Sequence, residues 1–184
     1  PLDRVNPNFT INAPAPLIWA MFVHLAEVRG TPLDQLMGTT QGDPIKEMDS
    51  RGTFILPPEA SLAMIADFVV TASRLTPRFR PANWSSYHRQ ERGAPPWMAL
   101  AFAFATAFQL LDKIRATLDP DEFAKAAGRL GAFFGSADMH FIDQYATYRA
   151  AARLWDKTLR DQYGISDPKY RRMGYGVQVG SITL

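Results

Sequence analysis

Cysteine is absent from this chain. Without a thiol there is no disulfide framework, no thiolate nucleophile and no Cys-ligated metal, and the composition suits a reducing compartment. Charge of one sign is scarce as well. Twenty basic against 18 acidic side chains leave a formal charge of +2, too little for a general electrostatic attraction to nucleic acid or an anionic membrane. The most apolar run, Trp97 to Phe108, is shorter than the roughly 20 residues that span a bilayer, so it is expected as a buried helix. Pro1-Leu2-Asp3-Arg4 lacks the charged-then-apolar pattern of a leader, and none is expected. Zinc-like spacing, a phosphate-binding glycine loop and a repeat of solenoid length are all missing. What remains is a 184-residue chain, 47% hydrophobic, long enough for one domain over 1–184 with a sizeable core. It is expected in the cytoplasm, with no nucleic-acid or membrane partner.

Strand and helix signals alternate along the chain. Asn8 to Asn12 alternates polar with apolar and predicts a strand, and the prolines at 14 and 16 precede a helix from about Leu17 to Val28. His24 within that helix reads as structural. Leu36 to Thr40 predicts a second strand; Asp43-Pro44 then starts a helix from Ile45 to Ser50, which ends beside Arg51. An extended connection through Pro57-Pro58 leads to a helix from Glu59 to Leu75. Asn83 to Tyr87 predicts a third strand that would leave His88 at its C-terminal end, the edge at which α/β folds bind ligands. Helices from Trp97 to Arg115 and after Asp119-Pro120 follow. Arg129 to Phe134 is a fourth strand candidate, Asp138 to Tyr163 a long helix, and Tyr175 to Val179 a fifth strand. Lys169-Tyr170-Arg171-Arg172 is the densest basic cluster and reads as a solvated loop.

This order predicts an α/β fold with a parallel sheet and helices outside it. Parallel strands buried on both faces normally read as continuous Val/Ile/Leu. Here they carry Asn8, Thr10, Asn12, Thr39, Thr40, Asn83, Ser85, Ser86 and Gln178, so one sheet face must meet something polar. Such residues suit a barrel interior threaded by a ligand. A closed eight-unit barrel needs about 250 residues, and about five strand-helix units are legible, so the expectation is a partial TIM-type (β/α) barrel. Its two open sheet edges would favour association, as a homo- or hetero-oligomer.

Several stretches carry a resemblance to a known family. They are Thr10-Ile11-Asn12-Ala13-Pro14-Ala15, Gly38-Thr39-Thr40-Gln41-Gly42-Asp43 with Ile45-Lys46-Glu47, and Arg51 through Glu59. Ser86-Tyr87-His88-Arg89-Gln90-Glu91, Arg149 to Trp155, and Asp167 through Val179 complete the set. The chain resembles the catalytic barrel of the adenosylcobalamin-dependent acyl-CoA mutases, the methylmalonyl-CoA mutase large-subunit family, and within it the ethylmalonyl-CoA mutase branch. The resemblance covers essentially the whole chain in order and spacing.

It implies that a coenzyme A ester threads the barrel axis, that an adenosyl radical abstracts hydrogen from the substrate, and that the thioester-bearing group migrates. By motif match His88 and Gln41 would hydrogen-bond the thioester carbonyl and Arg51 would pair with the free carboxylate. These roles suit the chemistry, because a guanidinium fork fits a carboxylate and a donor on the carbonyl stabilises developing charge. Thr39 and Tyr87 match pocket positions, Arg129 an arginine on the coenzyme A side, and Gln178 a glutamine near the cobalamin face. The chain departs from the family pattern at Gly42, Arg80, Arg92, Ala99, Gly131 and Gly180. No Asp-x-His-x-x-Gly loop occurs, so the resemblance implies that a separate domain or subunit binds cobalamin. The alternative expectation is a homologue that kept acyl-CoA binding, or a scaffold role, and lost the radical chemistry.

Overall fold

The computed structural model describes residues 2–180, apart from the side chains of 132–134. Prolines and acidic caps set most helix starts. Helix α1 (Ala15–Val28) follows Pro14, while α2 (Pro44–Arg51), α3 (Pro58–Leu75), α5 (Pro96–Arg115) and α6 (Pro120–Leu130) each begin at a proline, where a missing N–H costs nothing. The Asp43 carboxylate accepts from the Lys46 N–H to cap α2, and Asp119 accepts from the N–H groups of Asp121 and Glu122 to cap α6. Gly52, at φ +68°, ends α2 in the left-handed region that glycine enters without penalty. The remaining helices are α4 (Tyr87–Glu91) and α7 (Phe141–Asp161).

Among the described residues every strand pairing is parallel. The strands are β1 (Asn8–Phe9), β2 (Gly38–Thr40), β3 (Phe79–Arg80), β4 (Trp84–Ser85), β5 (Ala132–Ala137) and β6 (Gly174–Val179). They form two three-stranded ladders, β1-β2-β3 and β4-β5-β6. Between β3 and β4 stands Pro81, which cannot donate to a ladder, yet the segment stays beside β2: the Asn83 N–H donates to the Gln41 carbonyl at 2.8 Å and the Thr40 hydroxyl to the Pro81 carbonyl at 2.6 Å. Strands therefore follow one another across the molecule in chain order, and each crossover carries one or more helices.

Strand parity separates the two faces. Phe9, Phe79, Trp84 and Gly135 point toward the helices: Phe9 and Phe79 meet Phe22 of α1, Trp84 donates its indole N–H to the Leu130 carbonyl, and a Cβ on Gly135 would collide with Tyr148 of α7. The alternate positions bring Asn8, Thr39 and Arg80 into one register row, and place Ser85 and the paired Ser136 and Gln178 on the same side. The polar face expected from the sequence is thus a property of the sheet.

The core lies between the sheet and its helices. Its centre is α5, which packs against α3, α6, α7 and β4 and buries Leu110, Leu111 and Ile114, with Phe104 stacked on Trp155 of α7. This helix matches the expected Trp97 to Arg115, and, unlike the apolar run Trp97 to Phe108 taken alone, it is among the described residues the one helix long and apolar enough, by length and composition, to cross a membrane. Its inner row belongs to the core.

Several boundaries differ from the sequence reading. The third strand ends at Ser85, so His88 sits in α4 rather than at a strand end; the Ser86 carbonyl accepts from both Arg89 and Gln90 N–H and turns the chain there. Arg129 does not open a strand. It belongs to the last turn of α6, whose buried row Phe123, Ala126, Ala127 and Leu130 keeps helical spacing up to Gly131. The first strand is confined to Asn8–Phe9.

Because Leu111 is fully buried at the centre of the core, Leu111→Ala is expected to cost about 2–5 kcal/mol. Urea unfolding should show a lower midpoint with an unchanged slope.

Candidate functional site

Three strand exits converge at the C-terminal edge of the sheet. The segment after β1 supplies Asn12, the one after β2 supplies Gln41 and Asp43, and the one after β4 leads through Ser85 into α4 and His88. The Gln41 and Gly42 N–H groups both donate to the Ile11 carbonyl, which fastens the first two exits together. Gly42 is required as glycine here. Its φ is +54°, and a Cβ would lie 2.4 Å from the Pro81 carbonyl oxygen.

Helix α2 lays a lysine into this junction. Lys46 is fully buried, and its ammonium donates to Glu47 Oε1 at 2.7 Å and to Gln41 Oε1 at 3.0 Å. Asn12 Nδ2 donates to the same two oxygens, at 3.0 and 3.2 Å, while Asn12 Oδ1 accepts from the Asp43 N–H at 3.3 Å. Burial lowers the Lys46 pKa, opposed by the Glu47 carboxylate. Asp43, also fully buried, is pushed up to about 6, chiefly by desolvation, and its Oδ2 lacks a hydrogen-bond partner.

One helical turn beyond Glu47, Arg51 reaches across to α4. Its Nη1 lies 3.5 Å from Glu47 Oε2, and its Nη2 donates to His88 Nε2 at 3.0 Å. A guanidinium has no acceptor, so His88 Nε2 must be the unprotonated nitrogen and Nδ1 must carry the hydrogen, which it gives to Ser85 Oγ at 3.1 Å. The imidazole is neutral for the same reason. Burial, then the charges of Lys46 and Arg51, lower its pKa from the usual 6.5 to about 4; Glu47 opposes this and Arg89 adds to it. Tyr87 packs edge-on against the ring at 5.2 Å. Behind them buried Arg89 donates to Asp49 at 2.7 Å and to the Ser85 carbonyl at 3.0 Å, which ties α4 to α2.

The structure therefore brings His88, Gln41, Arg51 and Tyr87 into one cluster. Thr39 and Arg129 lie elsewhere, beside a recess of about 250 Å³ near the N-terminal edge of the sheet that Asn6, Arg78 and Arg80 also line. Arg129 is pushed below its ordinary pKa by burial and by the neighbouring Arg80 and Arg78 charges. Among the described residues neither Arg80 nor Arg129 is ion-paired, so this edge is strongly positive. Gln178 is exposed on β6, toward the C-terminal end of the strand.

Sequence reasoning missed Lys46, Asn12, Glu47 and Ser85 as members of the site. Lys46 gave no local signal, since a lysine on a short polar helix reads as a surface charge. Two departures from the family pattern follow from close packing: Gly42 as above, and Gly131, where a Cβ would stand 2.5 Å from the Arg172 carbonyl oxygen. Arg92 donates to the Ser50 carbonyl at 2.9 Å, so it ties the end of α4 to α2. The basic stretch at 169–172 is partly neutralised, by Lys169 pairing with Asp167 and Arg171 with Asp156.

The neutral histidine, the amide and the guanidinium thus gather at the C-terminal edge of a parallel sheet, the edge at which α/β folds carry ligand sites. The family model described as methylmalonyl-CoA mutase matches residues 1–184, and the chain belongs to that family. It is 44% identical over 184 residues to an ethylmalonyl-CoA mutase of Cereibacter sphaeroides and 42% identical over 186 residues to one of Methylorubrum extorquens, in each case across 100% of this chain. A 2-hydroxyisobutanoyl-CoA mutase large subunit of Aquincola tertiaricarbonis is 32% identical over 184 residues. The chain spans 28%, 27% and 32% of these relatives.

In a proton NMR titration His88 should hold its neutral-form shifts down to about pH 5 and titrate near 4. The lowered His88 pKa favours folding above about pH 6.5 and loses that contribution as pH falls toward 4, whereas the raised Asp43 pKa favours folding below about 3.8 and loses it as pH rises through 6. The two oppose one another, so Asp43→Asn should make stability fall more steeply between pH 6 and 4 than in the unaltered chain.

Proposed function

We propose that this chain is the central portion of an acyl-CoA mutase catalytic barrel, of partial TIM type, and that it binds a carboxyacyl-CoA thioester for a carbon-skeleton rearrangement. The observation that carries this reading is the meeting of Gln41, Arg51 and His88 at one edge of a polar sheet face, with Arg78, Arg80 and Arg129 at the other. An extended, anionic thioester matches both ends: its phosphates would lie toward the arginines, with Thr39 along the way, and its acyl group toward the Gln/Arg/His cluster.

In this reading Arg51 leaves His88 when a substrate carboxylate arrives, because an anion is a stronger partner for a guanidinium than a neutral imidazole nitrogen. That frees His88 Nε2. The Ser85 hydroxyl can donate as well as accept, so the ring hydrogen can move from Nδ1 to Nε2, with Ser85 then donating to Nδ1. His88 becomes a neutral donor to the thioester carbonyl beside the Gln41 amide, and Tyr87 closes one side of the pocket. A neutral donor stabilises charge developing on the oxygen without giving up its proton.

Exposed Gln178 fits a large amide-rimmed ligand such as adenosylcobalamin, as a side-chain hydrogen-bond donor and acceptor near the same sheet edge, while the described residues contain no group of three or more His, Cys, Asp or Glu able to hold a metal ion. When bound, that cofactor would supply the carbon-centred radical, and the residues holding the cobalt would come from another domain or subunit. A second reading, an acyl-CoA-binding subunit without radical chemistry, draws support from Arg80, a long cation set into the polar row between Thr39 and the Arg129 recess.

The test is binding of methylmalonyl-CoA against propionyl-CoA, which lacks the free carboxylate, to the full chain with any companion chains that co-purify. Arg51→Ala should weaken the first by about 10- to 100-fold and the second by less than about threefold. Equal loss for both ligands, or no binding by the unaltered protein, would sink the reading. Cobalamin-dependent turnover by that preparation would decide for the mutase against the binding subunit.

A further inference from the structure

We propose that Lys46 is the positioning residue of this site: its buried ammonium fixes the Gln41 side chain so that the amide N–H₂, and not the amide oxygen, is offered to the ligand. The inference rests on the acyl-CoA reading above and adds to it the residue that sets the polarity of the carbonyl-binding group.

A free glutamine amide can present either end, and only one end can donate to a carbonyl. In this chain the choice is forced by donors. An ammonium has three hydrogens and no acceptor, so the Gln41 atom 3.0 Å from Lys46 Nζ must be the oxygen. Asn12 Nδ2 donates to that same oxygen, and the Asn12 orientation is itself fixed, because its Oδ1 accepts from the Asp43 N–H. Glu47 Oε1 accepts from both Lys46 and Asn12, which holds the two donors side by side. Every assignment in the network is therefore unique. Among the described residues, the Gln41 Nε2 hydrogens have no protein acceptor, while the opposite end of the amide is doubly held.

Burial gives the arrangement its stiffness. The Lys46 side chain is 1% exposed, so it cannot exchange Gln41 for water, and withdrawing the ammonium from either partner would leave a buried charge poorly satisfied. A surface lysine at this distance would hold nothing for long. The ammonium acts on His88 as well, since its charge is one cause of the neutral imidazole. Groups facing His88 with charge are Lys46, Arg51 and Arg89 on the positive side and Glu47 on the negative side.

The experiment compares methylmalonyl-CoA with 2-carboxypropyl-CoA, the thioether in which a methylene replaces the carbonyl, in the full chain with its co-purifying companions. The unaltered protein should prefer the thioester by about 10- to 100-fold, and Lys46→Met should cut that preference by about tenfold while binding the thioether within about threefold of before. Equal weakening of both ligands in Lys46→Met would mean a structural role and would overturn the inference. So would a preference left intact. If the unaltered protein binds neither ligand, the acyl-CoA reading itself fails and takes this inference with it; if it binds both alike, that reading stands and this inference is overturned. Should Lys46→Met not fold, Lys46→Gln decides: its amide keeps a donor for Glu47 but can offer Gln41 an oxygen as readily as an N–H. A lowered thioester preference with the thioether still bound supports the inference, and an intact preference overturns it.

Discussion

The interaction on which the site depends is the contact of one buried ammonium with two side-chain oxygens. Taking a lysine out of water costs several kcal/mol unless its hydrogens are met, and Lys46 meets Glu47 and Gln41 within 3.0 Å. That requirement fixes α2 against the exits of β1 and β2, because Gln41 comes from the second exit and Asn12, which donates to Gln41 and to Glu47 of α2, comes from the first. With α2 so placed, Arg51 at its last turn reaches His88 of α4. The Arg89–Asp49 pair closes the same two helices from the other side.

The sheet adds a long-range constraint. Because consecutive parallel strands lie side by side in chain order, residues of one parity share one face, and here that parity carries Asn8, Thr39, Arg80, Ser85, Ser136 and Gln178. Of the other parity, Phe9, Phe79 and Trp84 turn toward the helices. Pro81 interrupts the central ladder without displacing it, since Thr40 and Gln41 continue to bond on either side of the break. Positive charge collects at one end of the polar face and the Gln/Arg/His cluster at the other.

Much of this was legible in the sequence for local reasons. Proline starts, the Asp43 and Asp119 caps and the glycine after α2 mark helices through backbone chemistry that needs no neighbours, and the polar strand residues announced an open face. The convergence of Gln41, Arg51 and His88 was legible only through the family resemblance. What failed depended on tertiary partners. Asn83 to Tyr87 is a β-prone run, but the chain turns at Ser86, where Arg89 gains Asp49 and the Ser85 carbonyl. Arg129 reads as the start of the strand candidate that runs to Phe134, whereas the apolar row of α6 carries the helix through it. Lys46 reads as a surface charge on a short polar helix, and its burial follows from the packing of α2 onto two strand exits.

The chain belongs to the methylmalonyl-CoA mutase family, and the central claim of the proposed function is that one extended ligand spans the polar face. The most direct measurement is a ¹⁵N chemical-shift map of the full chain titrated with methylmalonyl-CoA. The account expects saturable shifts at both edges together, at Arg80 and Arg129 and at Gln41, Arg51 and His88, with coenzyme A alone moving only the arginine edge. Shifts confined to one edge with the intact thioester, or scattered over the helical surface, would contradict it.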